Sequence, residues 1–218
     1  MENRNKIAVG SSRSGEVAEL LLRLKAVAIN TQNPFVYSSG IVSPIYTDLR
    51  LLMSYPKERE LIVNHLCSLI SEACGMDDVD GVAGIATAGI PWAAWISAAI
   101  SKPMVYVRDS AKEHGKGQRV EGRVVDGQRL IVIEDLVSTG ASAISAAVVL
   151  REMKATVDYC FAIFTYGLPQ AAKTFNEARL NLWTLTHIQE LLEVARSRGY
   201  LSNEEHQAVV AWYTASIL

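Results

Sequence analysis

The sequence predicts an α/β protein with a central, mostly parallel sheet flanked by helices, and three observations carry that expectation. Short β-branched runs at residues 80–86, 103–107, 130–133, 156–165 and 180–185 read as buried strands, too short for core helices. At 87–91 and 138–142 a turn of small residues leads from such a run into apolar residues at helical spacing, the strand–loop–helix order that builds parallel sheets. The length, 218 residues with 50% hydrophobic content, suits one domain of ordinary size with a small appendage.

Composition excludes several function classes. A formal net charge of −2 leaves no electrostatic footprint for nucleic acid. The polar start, residues 1–15, lacks the apolar core of a secretory signal. No apolar run reaches the roughly 18 residues of a membrane-spanning helix. Cys67, Cys74 and Cys160 fall in apolar segments without CxxC spacing and are expected as reduced thiols of a cytoplasmic protein. GxxxxGK[ST], GxGxxG after a strand, HExxH and GxSxG are all missing.

From the N-terminus, residues 1–13 read as a loose leader. Ser14 is placed to cap a helix whose apolar face is Val17, Leu20, Leu21, Leu24 and Val27 or Ala28, ending before Pro34. Residues 35–37, a turn at Ser38-Ser39-Gly40 and a return at 45–48 predict a hairpin. Pro56 opens a helix to about residue 73. The strand at 80–86 ends in Thr87-Ala88-Gly89-Ile90-Pro91, a small-residue loop with Pro91 near the first helical position. The strand at 103–107 runs into a polar, glycine-punctuated segment, residues 108–122. Its length exceeds an ordinary connection and predicts a lid or binding loop, with Arg108, Lys112 and His114 as a cationic set for a pyrophosphate. After the strand at 180–185 comes a helix over 187–198, and Ser202 with Glu205 makes a capping box for a last helix over 204–217. His65, His187 and His206 lack ligand spacing and are expected to be structural or surface residues.

The chain is organised around residues 130–151. Four apolar residues lead to two adjacent carboxylates, Glu134 and Asp135, then to Ser138-Thr139-Gly140-Ala141-Ser142, then to a helix. Ligands of open α/β sheets bind beyond the carboxyl ends of the strands, where this loop belongs. Small residues entering a helix leave backbone N–H groups unpaired and aligned, ready for an anion. The hydroxyls add donors, and Gly140 permits positive φ or close approach. Two carboxylates beside a phosphate would repel it, so they are expected to face a pair of sugar hydroxyls or a magnesium ion.

Ile133-Glu134-Asp135-Leu136-Val137-Ser138-Thr139-Gly140-Ala141-Ser142 resembles the 5-phosphoribosyl 1-diphosphate (PRPP) motif of type I phosphoribosyltransferases. Residues 38–50, followed by Ser54-Tyr55-Pro56, resemble the SSGxxSPIYxDxR…SYP signature of the orotate phosphoribosyltransferase family, and 108–115 its RxxxKxHG lid. The resemblance implies the type I phosphoribosyltransferase fold, with a PRPP-binding core at roughly 57–185 and a hood at roughly 14–50 plus C-terminal elements. It implies transfer of a phosphoribosyl group from PRPP to orotate in UMP synthesis. Lys112, His114 and Asp135 are the implied catalytic residues. PRPP would be held by Arg108, Lys112, His114, Glu134, Asp135, Leu136, Val137, Ser138, Thr139, Gly140, Ala141 and Ser142, and orotate by Ser138. Mg²⁺ would be bound mainly through PRPP, with no dedicated protein ligands. The resemblance further implies a cytoplasmic homodimer with sites shared across the interface, and no nucleic-acid or membrane partner.

Three departures from the family stand out. Ala88 replaces a lysine of many relatives, and Asp109 a lysine of several, which lowers the positive charge of the lid. Beyond residue 165, where some relatives carry an arginine for the orotate carboxylate, this chain has Tyr166-Gly167-Leu168. Two other readings remain open at this point: another nucleobase phosphoribosyltransferase, and a PRPP-sensing regulator that binds RNA or DNA.

Overall fold

The structure is a computed structural model that describes residues 11–36, 42–110 and 119–216. Its centre is a six-stranded sheet formed by β5 (Gly81–Ile85), β6 (Met104–Val107), β7 (Val120–Glu121), β8 (Arg129–Val137), β9 (Thr156–Thr165) and β10 (Asn181–His187). The strand order is β10-β9-β8-β5-β6-β7. Every pairing is parallel except that of the edge strand β7 with β6.

Parallel strands need crossover helices, which cover both faces of the sheet. On one face pack α1 (Ser11–Arg23), α2 (Pro56–Cys74), α3 (Gly89–Ala99), α6 (Ile188–Ser197) and α7 (Asn203–Ser216), on the other α4 (Ala141–Glu152) and α5 (Pro169–Glu177). Side-chain alternation sorts the strands accordingly. Ile131 and Ile133 of β8 join the core of the first face, whereas Leu130 and Val132 join that of the second. In β9, Phe161 and Ile163 go one way, Cys160 and Ala162 the other. Among the described residues, no helix is long and apolar enough to cross a membrane.

The structure departs from expectation in several places. Helix α1 spans Ser11–Arg23, so Ser14 is not its cap, and Val27 and Ala28 belong to a strand instead of continuing the helix; Ser14 lies in the first turns, 1% exposed, and its hydroxyl donates to Thr186 Oγ1 at 3.0 Å. The expected hairpin partners also separate. β2 (Phe35–Val36) pairs with β3 (Val42–Ser43), while β4 (Ile45–Thr47) pairs with β1 (Val27–Ile29). The cause is the bend at Ser43-Pro44-Ile45, where the buried Ser43 hydroxyl bonds both the carbonyl and the amide of Ile45 and turns the chain out of one ladder into the other. Residues 37–41, which include the expected turn, lie outside the described residues. Finally, α5 was not expected at all, although Pro169 at its first turn and the spacing of buried Ala171 and Phe175 are a helical signature.

Several other expectations agree with the structure. The capping box forms as read: Glu205 N donates to Ser202 Oγ at 3.1 Å and Ser202 N to Glu205 Oε2 at 2.9 Å. His187 caps α6, its Nδ1 accepting from Glu190 N at 3.0 Å. His65 and His206 each meet one glutamate, Glu16 and Glu193, on neighbouring helices. All three cysteines are free thiols.

Candidate active site

The parallel strands end at one edge of the sheet, and the loops after β5, β6 and β8 gather there. β8 is longer than its apolar run. Its pairing with β9 continues through Leu136↔Phe164 and Val137↔Thr165, so Glu134 and Asp135 lie inside the strand rather than after it. Backbone pairing with β9 overrides the low strand preference of the acids. Glu134 lines the cleft on the α4 side, and the two carboxyl groups lie against each other rather than on the opposite faces of an evenly alternating strand.

Both carboxyls are largely enclosed. Glu134 is 8% exposed; its Oε1 accepts from Asp135 N at 3.1 Å, and Asp135 Oδ1 accepts from Leu136 N at 2.8 Å. Burial, reinforced by the neighbouring Asp135 charge, pushes the Glu134 carboxyl up to about 9. Burial also raises Asp135, against its bonds to Glu134 and Leu136 and the positive charge of Arg50. The pair is therefore poised to accept hydroxyl donors or a cation that would relieve its repulsion.

On the α4 side a cleft of about 270 Å³ is lined by Glu134 and residues 136–143. It holds all the expected phosphate-loop residues from Leu136 to Ser142, but not Asp135. Gly140 precedes α4 with φ +85°, and a Cβ there would lie 2.6 Å from the Phe175 ring, so the position requires glycine on both counts. The Thr174 hydroxyl reaches the Thr139 carbonyl at 3.0 Å. The unexpected α5 is thus the wall that shapes the loop. No side chain caps α4, which leaves the first amides of the helix turned to the cleft.

The loop after β5 supports β8 directly. A Cβ on Gly89 would lie 2.4 Å from the Ile133 carbonyl oxygen, so α3 starts in contact with the strand just before the acids. The Ala86–Thr87 peptide bond is cis.

At the base of the long connection after β6, Arg108 N donates to Arg119 O at 2.8 Å and Arg119 Nε to Arg108 O at 2.9 Å. Val120 and Glu121 return as β7, so the loop closes earlier than the polar run suggested. Arg119 Nη1 donates to Ser145 Oγ at 3.0 Å, tying the base to α4. Arg108 stands 3.6 Å from Glu121 Oε1, and part of its charge is engaged there. Lys112 and His114 lie outside the described residues.

Beyond β9 the Tyr166 hydroxyl donates to Thr47 Oγ1 at 2.8 Å, joining β4 to the sheet, and Tyr213 of α7 donates to the Tyr166 carbonyl. Arg50, which the sequence does not single out as a site residue, carries its charge within electrostatic reach of Asp135. Its Nε and Nη2 donate to Asp48 at 2.7 and 3.0 Å. A cation two residues after an aspartate within the 38–50 signature was the available signal.

A model of the phosphoribosyl transferase domain matches residues 56–167. An orotate phosphoribosyltransferase of Coxiella burnetii is 47% identical over 201 residues, covering 92% of this chain and 95% of that protein. One of Listeria innocua is 48% identical over 197 residues, covering 90% of this chain and 93% of its own. The crystal structure of orotate phosphoribosyltransferase from Aeropyrum pernix superposes with a TM-score of 0.73 at 29% identity, over 85% of this chain and 99% of that one.

Proposed function

The chain belongs to the phosphoribosyltransferase family, and we propose that it transfers the 5-phosphoribosyl group from PRPP to orotate, giving orotidine 5-phosphate and pyrophosphate in pyrimidine synthesis. The observation that carries this reading is the near full-length likeness to orotate phosphoribosyltransferases. The buried Glu134 and half-buried Asp135 beside an uncapped helix start are the geometry such a substrate needs.

PRPP carries a good leaving group at an anomeric carbon, and breaking that bond develops positive charge at C1. The protein needs no nucleophile of its own; it positions donor and acceptor, meets the growing charge of pyrophosphate and excludes water. Glu134 and Asp135 orient the ribose diol, and residues 136–142 hold the 5-phosphate. Ser138 also borders the base. Arg108, Lys112 and His114 take the pyrophosphate, with His114 a proton donor to it. Orotate N1 attacks C1 as the C1–O bond to pyrophosphate breaks.

Magnesium fits these residues as a passenger on the substrate. The electrostatically strained pair Glu134 and Asp135 favours a cation nearby. Among the described residues no group of three or more His, Cys, Asp or Glu is arranged to cage an ion. Mg²⁺ prefers phosphate oxygens and water, and when bound it neutralises the diphosphate. The working form is a cytoplasmic homodimer in which the lid of one subunit completes the site of the other.

The test is PRPP-dependent consumption of orotate with Mg²⁺. Lys112→Ala should lower turnover by about 10²–10³-fold, the loss typical of one transition-state donor. Turnover of uracil or a purine base instead of orotate would move the chain to another branch. No turnover of any base, with RNA or DNA retained in low-salt filter binding, would make it a regulator.

A further inference from the structure

Taking orotate as the acceptor, the reading proposed above, leaves its carboxylate without a partner, because residues 165–170 supply no arginine. We infer that Arg50, clamped by Asp48 in the 3-10 turn that packs against β8, receives that carboxylate and so sets the preference for an acidic pyrimidine.

Three features place it there. Tyr166 binds Thr47, so the end of β4 sits over the C-terminal end of β9, and the chain proceeds through Asp48 into a 3-10 turn, Leu49–Ser54. That turn is anchored by buried Leu49 and Leu52 and packs against β8, which leaves Arg50 on its outer side. Arg50 and Asp135 also sense each other's charge. The guanidinium thus reaches the acid that orients the ribose through its charge, from a turn that packs against β8 and outside the residues that line the phosphate cleft. A base attached at C1 lies at the other end of the ribose from its 5-phosphate.

The hydrogen bonding of Arg50 is half used. A guanidinium offers two edges that can each take a carboxylate in bidentate fashion. Asp48 fills the edge made by Nε and Nη2. Nη1 makes no hydrogen bond among the described residues, and the side chain is 64% exposed. Asp48 therefore fixes the direction of the arginine and leaves its outer edge for a second carboxylate. The other arginines at this end of the sheet are committed elsewhere: Arg108 faces Glu121 at the far side of β6, and Arg119 is bonded to the Arg108 carbonyl and Ser145.

The experiment measures KM for orotate and for PRPP separately, together with inhibition by uracil-type analogues that lack the carboxylate. Losing a charged hydrogen bond should raise the orotate KM of Arg50→Gln by about 10–100-fold. The PRPP KM should stay within about twofold and the uncharged analogues should bind as before, since only the carboxylate is lost. Arg50→Lys should recover part of the loss, and Asp48→Asn should weaken orotate alone. Thermal midpoints matched to the parent protein confirm that these exposed positions leave the fold intact. An orotate KM unchanged in Arg50→Gln, or an equal rise for PRPP, would overturn the assignment while leaving the proposed reaction standing. A parent protein that turns over no orotate would instead remove the reading on which it rests.

Discussion

Glu134 holds its proton at a pH where an exposed carboxyl would have lost it. Its value rises from the ordinary 4.5 to about 9 because burial disfavours the anion and Asp135 adds a like charge. The folded protein then binds a proton over that window that the unfolded chain releases, so this group's contribution to stability falls as pH rises from 4.5 to about 9. Glu134→Gln should remove the slope and raise stability by about 1–2 kcal/mol at pH 8 while abolishing useful turnover. Thermal melts of both proteins from pH 5 to 9 check it: the two curves should diverge with rising pH. Ligand binding has the opposite sign. Hydroxyl donors or a cation favour the charged form, so PRPP with Mg²⁺ should release protons on binding, seen by calorimetry in buffers of different ionisation enthalpy. Cys74 illustrates the same physics without function: burial first, and the Asp78 charge second, push its thiol up to about 11, which makes it a poor nucleophile.

At the scale of elements, the phosphate loop depends on α5, a helix that touches none of the acids. Phe175 is 2% exposed and abuts Gly140. Gly140→Ala meets both the ring and the positive φ, and should cost about 1–3 kcal/mol in stability together with most PRPP affinity. Phe175→Ala should cost about 3–5 kcal/mol and raise the PRPP KM more than the orotate KM, because the loop loses its wall. Urea melts and the two KM values separate these effects. The Tyr166 hydroxyl ties β4 to the end of β9 in the same way. Tyr166→Phe loosens β4 from the end of β9 and should raise the orotate KM severalfold at unchanged PRPP KM.

At the scale of the whole molecule, the charge that the site needs is spread over distant parts of the chain. The acids lie in the central strand, the helix start follows them, and Arg108, Lys112 and His114 belong to a connection 20 or more residues earlier. If subunits exchange lids, a Lys112→Ala protein mixed with an Asp135→Asn protein should regain up to about one quarter of parental activity, because random pairing leaves one intact site in half of the dimers. Verified subunit exchange without recovery would confine each site to one chain.

The strand–loop–helix core was readable because β-branched runs, small-residue turns and helical spacing are local properties. For the same reason the small-residue turn before α4 and the capping box could be read from neighbouring residues. The hood was read less well. Which strand pairs with which is a competition between segments, and the bend at Ser43 resolved it toward β1. Local patterning likewise leads from β8 to its two acids. It cannot show that pairing with β9 carries the strand through them, brings their carboxyl groups together and buries Glu134. Burial converts an ordinary carboxylate into a proton-holding one, and depends on atoms brought in from helices far along the chain. The residue types at the site are thus a property of the sequence; their charge states, their directions and the presence of Arg50 beside Asp135 arise only when the sheet is assembled, because desolvation and Coulomb interactions act through space.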